Sequence, residues 1–94
     1  MATRRTRLRI HGKVQGVFFR ESARAEAEAR ELAGWIRNNP DGTVEALVEG
    51  PHAAVDGFTD WCRHGPPSAQ VAQLEATHEP ARGDLGPFIV ERSP

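Results

Sequence analysis

The hydrophobic pattern of this chain switches four times between a period of two and a period near 3.6, and the order of those switches limits the fold more than any other property. Leu8, Ile10 and Gly12 alternate with Arg7, Arg9 and His11, which predicts a half-buried strand reaching about Lys13. Residues 21–31 mix Ala23, Ala25, Ala27 and Ala29 with Glu and Arg and predict a helix. Its buried face stays open, because Ala23/Ala27 and Ala25/Ala29 are both i,i+4 pairs on different sides. Trp35 and Ile36 favour extended chain over 34–38, and Asn39-Pro40-Asp41-Gly42 supplies turn residues. Val44, Ala46 and Val48 then resume alternation over 43–49, so the two segments read as a hairpin. Beyond Gly50-Pro51, the residues Ala54, Phe58, Trp61 and Cys62 recur at helical spacing across 52–64, and Gly65-Pro66-Pro67 stops the run. Residues 71–78 read as a strand; a loop rich in Gly and Pro follows, and 88–92 form a short apolar fifth strand.

The order βαββαβ plus a short last strand predicts an α+β sandwich of the ferredoxin-like kind, an antiparallel sheet with two helices on one face. Right-handed crossover makes the first two strands parallel, with the third between them. At about 4.8 Å per strand spacing, their C-terminal ends then lie roughly 10 Å apart on one edge of the sheet. With 94 residues and 10.3 kDa there is chain for one core only, so a single domain over 1–94 is expected.

Composition excludes several function classes. A hydrophobic share of 38%, a charged share of 27% and a net charge of −1 describe an ordinary globule and disfavour a nucleic-acid polyelectrolyte. The lone Cys62 rules out an internal disulfide and a cysteine-built zinc site, which suits a cytoplasmic protein. Arg4, Arg5, Arg7 and Arg9 resemble the start of an export signal, but the apolar stretch that must follow is missing. They read instead as a frayed terminus running into the solvent face of the first strand. No run approaches the roughly 18 apolar residues of a membrane helix. His11, His52, His64 and His78 fall on different elements without metal-ligand spacing, so no metal and no cofactor is expected. Cys62, Trp35, Trp61, Phe58 and Phe88 read as core. Absence of an apolar surface stripe favours a monomer.

One segment carries chemistry. Gly12-Lys13-Val14-Gln15-Gly16-Val17-Phe18-Phe19-Arg20 joins a strand to a helix. Its glycines permit angles that let successive N–H groups turn inward beside the unsatisfied amino end of the helix, a nest that attracts anions. Arg20 at that end opposes the helix dipole by a few tenths of a kcal/mol, a penalty that becomes attraction once phosphate lies between them. Lys13 and Arg24 are near enough to add positive field, although simple solvation also explains them. Gly16 is followed by Val17 and Phe18 rather than Lys-Ser/Thr, so this is not the nucleoside-triphosphate loop. Asn38 ends the second strand; turn chemistry accounts for it locally, but the topology sets it facing Arg20 across a gap about the size of a phosphoryl group.

Taken together, Val14-Gln15-Gly16-Val17-Phe18-Phe19-Arg20, then Gly34-Trp35-Ile36-Arg37-Asn38, then Asp41-Gly42-Thr43-Val44-Glu45 closely resemble the acylphosphatase family. The likeness continues through Gly50-Pro51, Phe58 with Trp61, Gly65-Pro66-Pro67 with Val71, and Phe88. It implies a ferredoxin-like enzyme that hydrolyses the carboxyl-phosphate bond of small acyl phosphates without a metal. It also implies that Arg20 grips phosphate, that Asn38 orients the attacking water, and that the amides of Gln15, Gly16, Val17, Phe18, Phe19 and Arg20 form the cradle, where inorganic phosphate or sulfate would also bind. Arg30-Glu31 stands where the family usually ends its first helix on an apolar residue and glycine, and Cys62 replaces a commoner leucine. Two other classes compete. A noncatalytic anion-binding module has no need of Asn38, and an RNA-binding domain on the same plan needs exposed sheet aromatics and a basic face that this composition lacks.

Overall fold

The computed structural model describes residues 2–91, so Arg92, expected in the last strand, lies outside the described residues. The elements are β1 (Thr3–Lys13), α1 (Phe19–Ala29), β2 (Ala33–Asn38), β3 (Val44–Pro51), α2 (His52–Cys62), β4 (Gln70–Glu79) and β5 (Ile89–Val90). They follow the expected order. The sheet runs β4-β1-β3-β2-β5, with β3 between β1 and β2. The four long strands pair antiparallel, and β5 joins β2 in parallel, Trp35 opposite Ile89 and Ile36 opposite Val90, which makes the five-stranded sheet mixed.

Both helices cover one face. From the sheet, Leu8, Ile10, Ile36, Val44, Ala46 and Val48 turn inward, one residue in two, and are fully buried. Of the two alanine pairs on α1, packing selects Ala23/Ala27, which continue the stripe begun by Phe19. From α2 come Val55, Phe58 and Cys62. Burial pushes the Cys62 thiol up, leaving it an inert apolar filler, as expected. Phe88 meets Phe58 edge-on and Trp61 meets Phe19 likewise.

The helix exit at Arg30-Glu31 has a direct explanation. Glu31 takes the left-handed conformation (φ 56°), Glu31 N–H donates to Glu28 O at 3.0 Å, and Leu32 N–H donates to Ala27 O at 2.9 Å. This is a Schellman stop closed by the buried contact of Leu32 and Ala27, with glutamate in the place glycine usually takes.

Two expectations are corrected on the face away from the helices. Trp35 is not core: the guanidiniums of Arg7 and Arg37 both stand over its ring, 5.8 and 4.7 Å from its centroid. Nor is the arginine-rich start a frayed terminus. β1 is hydrogen-bonded from Thr3, and Arg5 is only 6% exposed. It donates to Asp84 at 2.7 Å, Glu49 at 3.2 Å and Glu79 at 3.3 Å. The loop after β4 folds over this face, because the N–H groups of Arg82 and Gly83 donate to the Glu49 carboxylate at 3.1 and 2.7 Å. Period-two alternation marks such positions as solvent-facing; opposite charges converging from four chain segments made them buried.

Candidate active site

The loop between β1 and α1 is shaped before any ligand is considered. A bulge at His11/Gly12 shifts the register of β1 against β4 just before the loop begins, and Gly12 is the residue that permits the close approach there: a Cβ would stand 2.2 Å from Gln70 O. Val14 and Val17 are buried and pin the loop to the core. Between and after them, Gly16 (φ 73°) and Phe18 (φ 63°, ψ 24°) are left-handed. Alternating hands of this sort turn N–H groups to one side. α1 then starts at Phe19 without a side-chain cap, its first internal bond running from Ser22 N–H to Phe18 O, so the preceding amides lack intrahelical partners.

A cavity of about 250 Å³ opens there, lined by Gly16, Phe18, Phe19 and Arg20 from the loop and helix and by Asn38 and Val90 from the strands. The two residues that the sequence set facing one another therefore share a pocket. Arg20 donates weakly to Glu91 O at 3.4 Å and forms no ion pair with the described residues. Asn38 leaves its carboxamide oxygen buried without a hydrogen-bond partner among the described residues. A buried acceptor without a partner is costly unless a ligand or water completes it, and the half-buried guanidinium in the same cavity is free to take an anion.

Not every expected cradle residue lines this cavity. Val17 is a core anchor, and Gln15 turns its side chain to the β2–β3 turn, donating from Nε2 to Asn39 O at 2.8 Å and Thr43 O at 2.9 Å. Sequence reasoning missed this brace, which ties the loop to the segment bearing Asn38; its partners are carbonyls 24 and 28 residues away and leave no signal in composition. Asn39 extends the brace, donating to Thr43 Oγ1 at 3.0 Å and Glu45 Oε1 at 3.3 Å. Arg24 adds little field, being paired with Glu28 at 3.4 Å and Glu21 at 3.6 Å. Among the described residues no three His, Cys, Asp or Glu side chains gather as metal ligands. The set can grip a tetrahedral oxyanion with fixed N–H groups and a guanidinium, and hold a water beside it.

Known proteins resemble this chain over nearly its whole length. The Acylphosphatase family model matches residues 6–90. An acylphosphatase of Gloeobacter violaceus is 54% identical over 84 residues, covering 89% of each chain, and one of Rubrobacter xylanophilus is 50% identical over 88 residues, covering 94% of this chain and 80% of that one. The crystal structure of acylphosphatase from Bacillus subtilis superposes with a TM-score of 0.90 at 35% identity, covering 94% of this chain and 98% of that one.

Proposed function

Because this chain belongs to the acylphosphatase family, hydrolases acting on acyl phosphates, we propose how its own residues divide the reaction. Arg20 and the open amides from Gln15 to Arg20 hold the phosphoryl group, and Asn38 holds the attacking water. The observation that supports this reading is the shared cavity, where an unpaired guanidinium and an unsatisfied carboxamide oxygen converge. Inorganic phosphate, the product, would occupy the same place.

The chemistry asks for little more. The leaving group is a carboxylate whose conjugate acid has a pKa near about 4, so its departure needs no general acid at neutral pH. The loose phosphoryl transition state needs positioning and charge stabilisation on its equatorial oxygens, which N–H groups and a forked guanidinium supply. An amide is too weak a base to deprotonate water, but its carbonyl oxygen accepts a hydrogen bond from water and can hold it in line, and the substrate's phosphate takes the proton. The noncatalytic alternative is not favoured, since the relatives matched over most of the chain are named for the enzyme.

In this reading the protein works as a single-domain, cytoplasmic monomer on a small-molecule acyl phosphate, without metal or cofactor, and binds no nucleic acid or membrane. The open-face arginines, neutralised by their own acids, offer no basic patch, and no helix among the described residues is long and apolar enough to cross a membrane. The test is hydrolysis of benzoyl phosphate in the presence of a strong chelator. Turnover is expected to be unaffected; loss of activity restored by added metal would overturn the metal-free mechanism.

A further inference from the structure

The β1–α1 loop and Asn38 reach the cavity from two strands, β1 and β2, that β3 keeps apart in the sheet. Asn38 closes β2 in register with Val44, and its carboxamide oxygen has no hydrogen-bond partner among the described residues. The turn that follows is firm in itself. Asn39 N–H donates to Thr43 O at 2.8 Å, Gly42 N–H donates to Asn39 O at 3.1 Å, and Thr43 N–H donates to Asp41 Oδ1 at 3.0 Å. Into this turn reaches Gln15, whose Nε2 donates to Asn39 O at 2.8 Å and to Thr43 O at 2.9 Å. Each of those carbonyls already accepts one backbone N–H, so the two N–H groups on one nitrogen fill the second acceptor site of both. The Gln15 oxygen cannot take that place, since both partners only accept. Among the described residues no other hydrogen bond joins 14–18 to 38–43.

Resting on the reading above, we infer that the Gln15 side chain is a positioning residue for the hydrolysis: it sets the separation between the phosphate cradle and the water held by Asn38, and so governs the rate of the chemical step rather than phosphate affinity. The side chain is turned to the β2–β3 turn and does not line the cavity, so it acts through Asn39 on its neighbour Asn38. Every group that grips phosphate lies on the loop and helix side of the cavity; the residue that holds the water lies on the other. Slackening the joint between them leaves phosphate bound and its attacking water misplaced. In-line attack tolerates little such error, since a displacement of about 1 Å costs up to about 10² in rate.

Two substitutions cut the joint in different ways. Gln15→Met keeps the length of the side chain and removes both donors, whereas Gln15→Ala also lets water reach the two carbonyls. Each carbonyl keeps its backbone N–H in either variant, so both are expected to fold, which urea denaturation checks. With benzoyl phosphate, kcat is expected to fall about tenfold in both at a temperature where they are fully folded, while the Ki of inorganic phosphate as a competitive inhibitor stays within about twofold of wild type. A double-mutant cycle supplies the readout that a merely structural role would not move. In an Asn38→Ala background, Gln15→Met is expected to change kcat by less than about twofold, because no positioned water remains to be lost. An unchanged kcat in both single variants, a weakened phosphate Ki with kcat intact, or the same tenfold loss repeated in Asn38→Ala would overturn the inference. Wild-type turnover in Asn38→Ala alone would instead overturn the reading of the site, and the inference with it, so the two failures are distinguishable.

Discussion

Arg5 on the open face of the sheet and Arg20 at the start of α1 carry the same guanidinium in opposite company. Arg5 is enclosed by the carboxylates of Glu49, Glu79 and Asp84, and beside it Arg7 and Arg37 share Glu45. Arg20 touches one backbone carbonyl and no described carboxylate. The first arrangement completes its charges internally and holds a loop against a sheet. The second leaves a cation and a carboxamide oxygen uncompleted in one cavity. An ion pair made within the protein has nothing left to offer a ligand, whereas an unfinished one is paid for in stability and recovered in binding.

The contrast is broken most severely at the pocket. Asn38→Ala is expected to lose at least about 10² in kcat, near 3 kcal/mol, and Arg20→Lys to be severely impaired because an ammonium cannot reproduce the bidentate fork. Thermal melting of both should stay close to wild type. Benzoyl phosphate turnover near wild type in Asn38→Ala would remove its proposed role.

Next in size, Arg5→Met should do the reverse, lowering unfolding free energy by about 2 kcal/mol and leaving kcat intact at temperatures where the protein is folded. The figure sits below that for a fully buried pair because Asp84 and Glu79 remain partly exposed. Urea denaturation measures it, and a kcat that fell together with stability would show that the two regions are coupled.

The smallest effect concerns pH. Burial alone pushes the Glu45 and Glu49 carboxyls up. Hydrogen bonds from Arg37, Arg7 and Asn39 to Glu45, and from the Arg82 and Gly83 N–H groups and Arg5 to Glu49, outweigh it and hold both below the usual range. A depressed folded-state value means that their stabilisation is complete above the unfolded value of about 4.3 and is lost as pH falls through the folded one. The urea midpoint should therefore be little changed by these two groups from about pH 7 to 5 and decline below about pH 4. The decline should be shallower in Arg5→Met, and an equally steep one would mean that Arg5 does not depress Glu49.

The sequence alone settled the order of elements, the hairpin turn at Asn39-Pro40-Asp41-Gly42, and the glycine-punctuated joint leading to Arg20, because each depends on residues within a few positions of one another. Crossover handedness even brought Arg20 and Asn38 to one edge. Only the tertiary structure decided that Ala23 and Ala27 rather than Ala25 and Ala29 face the sheet, that β5 runs parallel beside β2, and that Gln15 braces the turn. It also decided that Arg5 is buried among acids and that Trp35 is covered by arginines outside the core. Periodicity reports which face of a strand a side chain occupies; it carries no information about which distant charges will converge there, and that convergence determines whether a charged side chain is solvated, paired or left open for a ligand.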